Sequence, residues 1–205
     1  MSAQTLGLRE RKKQAVRDRI HEEAAGLIQR YGIDGTTIEA VCDCSDIAKK
    51  TFYNYYSSRQ ELLIELCQSR MLKRTSVMID EAIAHSDSLH EQLAFYFHGM
   101  KQHFSGMDRL QKELIDFMVC NFSDNRSAGA SQLSYMNDCF TRLFKHSATD
   151  LKDDFSPAFY AQVTVGMINT ITLNWLVNDK YDISKKLDQL LEYIVVSMLA
   201  ERTAA

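Results

Sequence analysis

A short stretch in the N-terminal third of the chain holds side chains that suit an anionic partner. Lys49 and Lys50 place two positive charges side by side, and hydroxyl and amide groups follow at Thr51, Tyr53 and Asn54. Adjacent cations can neutralise phosphates or contact guanine in the major groove of DNA. Asn54 could hydrogen-bond to adenine or could face solvent. The chemistry that this stretch predicts is non-covalent binding.

Sequence motifs of enzymes and metal sites are missing. The chain has no glycine-rich phosphate loop, no H-E-x-x-H, no G-x-S-x-G and no helical carboxylate and histidine set at di-metal spacing. Cys42 and Cys44 form a C-x-C without a second cysteine pair, which disfavours zinc. We therefore expect no enzyme activity, no metal and no cofactor.

The cysteines and the first residues indicate the compartment. The five cysteines are odd in number and scattered, which fits reduced thiols better than a disulfide framework. The chain begins with a polar and then basic stretch, without the apolar segment of a secretory signal. The prediction is a cytoplasmic protein without a membrane partner.

Charge is distributed unevenly along the chain. Residues 1–60 hold 10 Lys and Arg against 8 Asp and Glu, and residues 61–205 hold 14 against 19. A basic start on an acidic body suits a nucleic-acid partner, although a solvated first helix would give the same balance. Arg11, Lys12 and Lys13 could form an arm that reaches a phosphate or the minor groove, or could serve solubility alone.

Apolar periodicity predicts three helices at the N-terminus. A long helix over 9–31 ends at Gly32, and two short helices follow over about 36–44 and 48–56. One long and two short helices joined by a tight turn form the layout of a helix-turn-helix, although such a unit can be purely structural. We assign this domain to residues 1–58.

Two pairs of residues predict where helices begin. Thr36 with Glu39, and Ser58 with Glu61, have the spacing of capping boxes. The second pair opens a helix over about 59–84.

Residues 59–205 predict a second, helical domain for regulation and dimerisation. Five more helices follow the one at 59–84, with a loop at 123–131 between two of them. The single proline and eight glycines favour long helices over many strands and turns. The expected fold class is all-α, with about nine helices.

Residues 155–178 contain no charged side chain. A helix that is neutral on every side is buried on every side, and a chain of this size can cover one face itself. Three interpretations remain open for the other face. A dimer partner is favoured because the next helix also has an apolar stripe; the alternatives are the interior of a monomer and a membrane span, which the amides of Gln162, Asn169, Asn174 and Asn178 disfavour.

The segment from Gly32 to Leu63 contains an ordered set of features. A glycine follows the first helix, a Thr-Thr pair opens the second, and a basic residue with Glu-Leu opens the fourth. In this chain they are Gly32, Thr36-Thr37, the third-helix segment Thr51-Phe52-Tyr53-Asn54-Tyr55-Tyr56, and Arg59 with Glu61-Leu62. This set closely resembles the DNA-binding signature of TetR-family bacterial transcription regulators.

The resemblance implies binding of a double-stranded DNA operator. Thr51, Tyr53 and Tyr55 would donate hydroxyls to phosphates or base edges, and Thr37 and Arg59 would contact phosphates at helix starts. The predicted DNA-binding residues are Thr36, Thr37, Lys49, Lys50, Thr51, Tyr53, Asn54, Tyr55 and Arg59.

The aromatic residues of the third helix cannot all serve packing. Phe52 and Tyr56 lie one helical turn apart and are predicted to be buried. Three tyrosines within four residues cannot all face one narrow core. The hypothesis is that Tyr53 or Tyr55 is exposed and contacts DNA.

Two positions depart from the family pattern. Asp46 stands where the turn often has glycine, and aspartate tolerates the left-handed conformation better than most residues. Ala48 stands where serine often caps the recognition helix, and a methyl group cannot cap. Either Asp46 replaces the missing cap or the helix start is looser.

The resemblance also implies a ligand-responsive repressor that acts as a homodimer on a palindromic operator. In the family, helices of the second domain enclose a pocket and the last two helices of each subunit form a four-helix bundle; a small hydrophobic effector is expected here. Predicted pocket residues are Phe97, Met100, Phe104, Phe117, Met118, Asn121, Tyr135, Met136, Phe140 and Asn169. Predicted dimer-interface residues are Phe159, Val163, Trp175, Leu187, Leu191, Ile194 and Met198.

A different class of protein remains as the alternative. The uncharged helix and the last helix could bind a heterologous partner, which would make the chain a helical protein-interaction module without a small-molecule effector. Self-association of the pure protein would separate the two hypotheses.

Overall fold

The computed structural model describes residues 7–124 and 126–200, and the side chains of those residues except 119–130. The described residues form helices and no β-strand, which confirms the all-α class; one isolated antiparallel bridge joins Leu151 to Leu199. The α-helices are α1 (Leu8–Tyr31), α2 (Ile38–Cys44), α3 (Lys49–Tyr53), α4 (Arg59–Cys67), α5 (Lys73–His85), α6 (Leu89–Ser105), α7 (Arg109–Asp124), α8 (Arg126–His146), α9 (Pro157–Val177) and α10 (Ile183–Met198).

The helix predicted over 59–84 is present as one helical run. α4 continues through a π-helical turn, Gln68–Leu72, into α5. With this run counted as one helix, the described part of the chain contains the nine predicted α-helices.

The loop predicted at 123–131 is wrong. α7 extends to Asp124 and α8 already begins at Arg126. The prediction relied on the small and polar residues of this stretch. Their low helix propensity is a weak preference that the surrounding structure can override.

The chain divides into two compact units. The N-terminal unit comprises residues 7–69 and 108–118, and the C-terminal unit comprises residues 70–107 and 119–200. The N-terminal unit thus includes the first turns of α7 in addition to α1–α4. The functional boundary after residue 58 stays a prediction.

One face of α1 forms the centre of the N-terminal unit. Ile20, Ala24, Leu27 and Ile28 are buried at helical spacing. α1 contacts both α2 and α4, and α2 contacts α3. The buried partners on these helices include Val41, Phe52, Leu62, Leu63 and Leu66.

The capping residue of α2 differs from the prediction by one position. The Thr37 hydroxyl accepts the Ala40 N–H at 3.1 Å, so Thr37 is the N-cap. Thr36, the residue predicted for this role, is buried and donates its hydroxyl to the Gly32 carbonyl at 2.8 Å. Adjacent threonines cannot be ranked from sequence, because the cap depends on which of them has the extended backbone.

The cap predicted for α4 is confirmed. The Ser58 hydroxyl accepts the Glu61 N–H at 3.1 Å. The Glu61 carboxylate in turn accepts the Ser57 N–H at 2.6 Å. These bonds satisfy backbone groups around the start of the helix.

Asp46 makes the turn between α2 and α3, as predicted. Its φ is +49°, and it is the one non-glycine residue with a positive φ in the described ranges. The Ile47 N–H closes the turn on the Cys42 carbonyl at 3.1 Å. Ala48 then precedes α3 without a side-chain cap, so Asp46 does not replace the missing cap.

A buried polar network fixes the start of α6 in the C-terminal unit. The Gln92 amide donates to the Ser86 carbonyl at 2.6 Å and accepts from the Ser147 hydroxyl at 3.0 Å. The Asp150 carboxylate accepts the Leu89 N–H at 2.8 Å. Because these buried groups have partners, they orient α6 without an unpaired polar atom.

The uncharged helix, α9, is covered by its own chain on one side. Tyr160, Thr164, Val165 and Ile168 are buried on that side. On the other side, Phe159, Leu173 and Val177 are 45%, 44% and 76% exposed. No helix in the described ranges has both the length and the apolar character of a membrane span.

The left-handed turn generates a prediction for stability. We expect Asp46→Val to lower the free energy of unfolding by about 1–2 kcal/mol, because a β-branched residue is strained at positive φ. Asp46→Gly relieves that strain and should change the free energy of unfolding by less than about 0.5 kcal/mol. Urea unfolding followed by circular dichroism measures both; equal destabilisation by the two substitutions would contradict the assignment.

Candidate nucleic-acid interface

The side chains of α3 and of the turn that follows it, residues 54–56, divide into an anchored set and an exposed set. Phe52 and Tyr56 are 0% and 1% exposed, whereas Tyr53 is 53% exposed. Lys50 and Asn54 are also exposed. The part of the hypothesis that concerns exposure is therefore confirmed for Tyr53, and its contact with DNA stays a prediction.

Thr51 and Tyr55 are half-buried and lie between these two sets. The N–H groups of Tyr55 and Tyr56 both bond to the Phe52 carbonyl, at 2.9 and 3.0 Å, which continues the turn beyond the end of α3. Partial exposure leaves the hydroxyls of Thr51 and Tyr55 as secondary candidates for contacts with a ligand.

Lys49 has a partner on α2. Its ammonium lies 2.5 Å from Glu39 Oε1, and both side chains are exposed. The hydrogen bond between them raises the pKa of Lys49 and lowers the pKa of Glu39. Solvent screens such a surface pair, so a phosphate can compete for the Lys49 ammonium.

Two of the predicted DNA-binding residues have roles inside the protein. Arg59 Nε donates to the Thr36 carbonyl at 2.7 Å, and its Nη2 donates to the Ile33 carbonyl. The Thr36 side chain is buried, as described above. Thr37 is exposed at the start of α2, where its hydroxyl serves as the cap.

A polar cluster holds the end of α3 against α1 and α4. The Tyr56 hydroxyl lies 2.9 Å from His21 Nε2, which lies 3.3 Å from Glu65 Oε1. Arg17 Nε donates to Glu65 Oε1 at 2.7 Å, and the guanidinium lies 5.4 Å from the centre of the Tyr56 ring. The bond to Glu65 raises the pKa of Arg17 further above its ordinary value. No local spacing links Arg17 to Glu65, so the sequence carries no signal for this cluster.

The three basic residues considered as an N-terminal arm form no extended segment, and their contact with DNA stays a prediction. Arg11, Lys12 and Lys13 are exposed, but they lie within α1, which already begins at Leu8. Their side chains project from a helix rather than from an extended chain.

The predicted pocket residues have mixed environments. Phe97 and Phe140 are fully buried, and Met100 and Met136 are each 9% exposed. Tyr96 packs edge-to-face against both Phe97 and Phe140. Burial raises the pKa of Tyr96 above its ordinary value. Residues that are half-buried are Phe104, Tyr135 and Asn169 in the C-terminal unit and Phe117 and Met118 in the N-terminal unit. The side chain of Asn121 lies outside the described residues.

The predicted interface residues also divide. Leu187, Ile194 and Met198 are buried within the chain itself. Half-buried residues are Val163, Leu191 and Trp175, whose ring packs edge-on against Phe104 at 5.0 Å. Only Phe159 of the predicted set is exposed.

The described side chains include no group of three or more His, Cys, Asp and Glu residues that could hold a metal ion. The candidate site is therefore the face of α3 with its neighbours Thr37 and Lys49. Short helices, a tight turn and an exposed face of cations and hydroxyls define a helix-turn-helix protein.

Comparison with known proteins agrees with this class. Residues 20–66 match the family model for bacterial regulatory proteins of the tetR family. The HTH-type transcriptional regulator TcmR of Streptomyces glaucescens is 31% identical over 58 residues, which are 28% of this chain and 26% of TcmR. This chain thus aligns with about a quarter of the length of that curated relative.

Solved structures share the whole fold at low identity. FadR of Thermus thermophilus, a transcriptional repressor solved with lauroyl-CoA, has a TM-score of 0.73 at 18% identity over 92% of this chain and 98% of its own. SmeT, the repressor of a multidrug efflux pump of Stenotrophomonas maltophilia, has a TM-score of 0.71 at 14% identity over 92% and 93%. Reduced NemR of E. coli has a TM-score of 0.69 at 16% identity over 93% and 100%. Residues 20–66 thus resemble the DNA-binding region of the tetR family of bacterial regulatory proteins, and the solved structures share the fold of the chain.

The anchored tyrosine generates a prediction for pH dependence. Burial, followed by the nearby Glu65 carboxylate, raises the pKa of Tyr56 to about 12. The unfolded chain releases this proton near pH 10, so the stabilisation is fully present below pH 10 and is lost as the pH rises through about 12. The loss in free energy of unfolding caused by Tyr56→Phe should therefore shrink between pH 10 and 12.

Urea unfolding at pH 8 to 11.5 measures this difference. Tyr31→Phe removes an exposed hydroxyl from the same unit and controls for the general effect of removing a phenol. A loss for Tyr56→Phe that stays constant across the range would show that the proton of Tyr56 is not held by the fold.

Proposed function

We propose that this protein is a homodimeric, sequence-specific DNA-binding regulator in which α3 enters the major groove. The observation that supports this most directly is the division of α3, in which Lys50, Tyr53 and Asn54 are exposed while Phe52 and Tyr56 fix the helix to the body. Lys50 supplies charge for phosphate or guanine, and Tyr53 and Asn54 supply hydrogen bonds to phosphates or base edges. Lys49, Thr37, Thr51 and Tyr55 complete the proposed contact surface.

Thr36 and Arg59 are left out of this surface. Thr36 is buried, and the Arg59 guanidinium is bonded to two backbone carbonyls. They support the surface by holding the connection between α1 and α2.

The proposed dimer interface is the exposed face of α9 with the neighbouring face of α10. Phe159, Leu173 and Val177 lie on one face of α9, and Tyr193 and Val196 are 53% and 71% exposed on α10. An uncharged helix whose water-exposed face carries large apolar side chains is typical of a homodimer interface. A two-fold dimer would present two copies of α3 to half-sites about 34–36 Å apart, which suits a palindromic operator.

The comparisons support repression and an effector as part of this proposal. FadR of Thermus thermophilus and SmeT are repressors, solved in complex with lauroyl-CoA and with triclosan. We propose that the C-terminal unit of this chain also binds a small hydrophobic effector, with its buried Phe and Met residues as the first candidates for the lining. A coupling of about 1–3 kcal/mol between effector and DNA would suffice to switch the regulator.

Selection of bound sequences from a pool of randomised double-stranded DNA tests the DNA-binding proposal. We expect enrichment of a two-fold symmetric site that the wild type binds with a salt-sensitive affinity. Lys50→Ala should weaken binding to that site at least about tenfold, because it removes one charged contact in each half-site. Lys145→Ala, which removes an exposed lysine of α8, is the control and should bind like the wild type.

A pool without enrichment, or equal effects of Lys50→Ala and Lys145→Ala, would contradict the proposal. Tyr53→Phe refines the same measurement, because it removes a single exposed hydroxyl and leaves the ring. An unchanged affinity would exclude that hydroxyl from the interface.

Sedimentation equilibrium tests the dimer. We expect a dimer for the wild type and a shift towards monomer for Val177→Asp, because a buried, unpaired carboxylate at an apolar interface is unfavourable. Val77→Asp changes an exposed valine of α5 and should leave the dimer intact. A wild type that is monomeric at micromolar concentration would favour the alternative of a module that binds a heterologous partner.

A further inference from the structure

The connection between α1 and α2 is held by side chains from two helices that are distant in sequence. From α4, Arg59 donates to the Ile33 and Thr36 carbonyls. From α7, the Glu113 carboxylate accepts the Ile33 N–H at 3.0 Å, although the two residues are 80 positions apart. Both polar backbone groups of Ile33 therefore have a charged side chain as partner.

Further bonds attach the start of α7 to the end of α1. Arg109 Nη1 donates to the Arg30 carbonyl at 2.9 Å. The Leu110 N–H donates to the Gln29 side chain at 2.8 Å. Arg109 and Glu113 are one turn apart on α7, and Arg109 Nε lies 3.6 Å from Glu113 Oε1.

Gly32 makes this close approach possible. Its φ is +77°, which a side chain would strain. A β-carbon there would lie 2.8 Å from Glu113 Oε1 and 2.9 Å from Arg109 Nη2. The glycine after α1, one of the features of the family signature, thus leaves the space that the α7 side chains occupy.

The contact between Ile33 and Glu113 can affect the position of α3, because Ile33 precedes α2 and α3 in the chain. Ile33 lies four residues before the cap of α2, and α2 leads through the Asp46 turn into α3. A displacement of Ile33 would therefore move the start of the helix-turn-helix. Glu113 is acidic and is repelled by phosphate, so it cannot favour DNA binding by direct contact with the backbone.

We propose that Glu113, supported by Arg109, is a positioning residue for DNA recognition. It holds Ile33 so that α2 and α3 have the orientation that fits the operator. This inference rests on the proposed function, since it concerns the same DNA interface. A purely structural role, in which the bond only stabilises the N-terminal unit, is the alternative that the experiment must separate.

The test compares Glu113→Ala with Glu113→Gln in the full chain. Affinity is measured by fluorescence anisotropy for the site selected by the wild type and for a scrambled duplex of equal length. Glu113→Ala should lower affinity for the selected site about tenfold, the size expected for loss of a hydrogen bond to a charged group. Affinity for the scrambled duplex and its salt dependence should stay unchanged, because no phosphate contact is lost.

Glu113→Gln should keep most of the affinity, because the amide oxygen can still accept the Ile33 N–H. Glu81→Ala removes an exposed carboxylate of α5 and controls for the change in net charge. Hydrogen exchange of the peptide that contains Ile33 reports the bond directly and should accelerate in Glu113→Ala only. Thermal unfolding establishes whether each variant is folded at the assay temperature. If Glu113→Ala is not folded, Arg109→Ala provides a second, independent release of the same connection.

If Glu113→Ala lost affinity equally for the selected and the scrambled DNA, the positioning role would be overturned. It would also be overturned if hydrogen exchange at Ile33 became faster while the ratio of the two affinities stayed unchanged. Failure of the wild type to select any site would be a different result, because it would remove the proposed function and this inference together.

Discussion

The orientation of α3 depends on two buried rings. A helix of five residues is too short to be stable by its own hydrogen bonds, so packing must supply its stability. Phe52 and Tyr56 provide that packing, and Tyr56 adds a hydroxyl that reaches His21 on α1. Because these two residues fix one side of the helix, the opposite side can consist of residues that contribute little to folding. The exposed Lys50, Tyr53 and Asn54 are therefore not needed for packing and are available to bind a ligand. The two rings determine the direction in which these side chains project.

The C-terminal unit reflects a different constraint, which is the absence of charge on α9. A surface helix of a monomer normally has charged residues on its solvent side. α9 has none, although Phe159, Leu173 and Val177 are exposed, so water is an unfavourable environment for that face. α10 is unlike it, because charged residues alternate with apolar ones and its leucine stripe is mostly used inside the chain. The apolar surface available to a partner is thus mainly on α9, with Tyr193 and Val196 of α10 beside it.

Local sequence patterns predicted the features that depend on neighbouring residues. The helix stop at Gly32, the left-handed Asp46, the missing cap at Ala48 and the Ser58 cap each follow from one residue type and its immediate surroundings. The one-turn spacing of Phe52 and Tyr56 predicted their burial in the same way. Contacts that depend on distant residues had no such local signal. Arg59 is basic and begins a helix, which suggests phosphate, and its bonds to carbonyls 23 and 26 positions away could not be read from the sequence. The bonds from Arg17 to Glu65 and from Ile33 to Glu113 span 48 and 80 residues, and no periodicity in a single sequence indicates such pairs.

The role of Arg59 changes how the signature residues should be understood. A basic residue at the start of α4 can bind phosphate, but the guanidinium of Arg59 uses its Nε and one Nη2 hydrogen on two carbonyls of its own chain. The Ile33 carbonyl also accepts the Thr36 N–H at 3.0 Å. The Thr36 carbonyl lies in a connection outside any helix, and an unpaired carbonyl in a part-buried position is costly. Arginine suits this task better than lysine, since its planar group can donate to two acceptors at once and stays charged. The signature therefore includes a residue, Arg59, that holds the connection between α1 and α2, beside exposed residues that do not pack. The two kinds are distinguished by where their hydrogen-bond donors are directed, which depends on the three-dimensional structure.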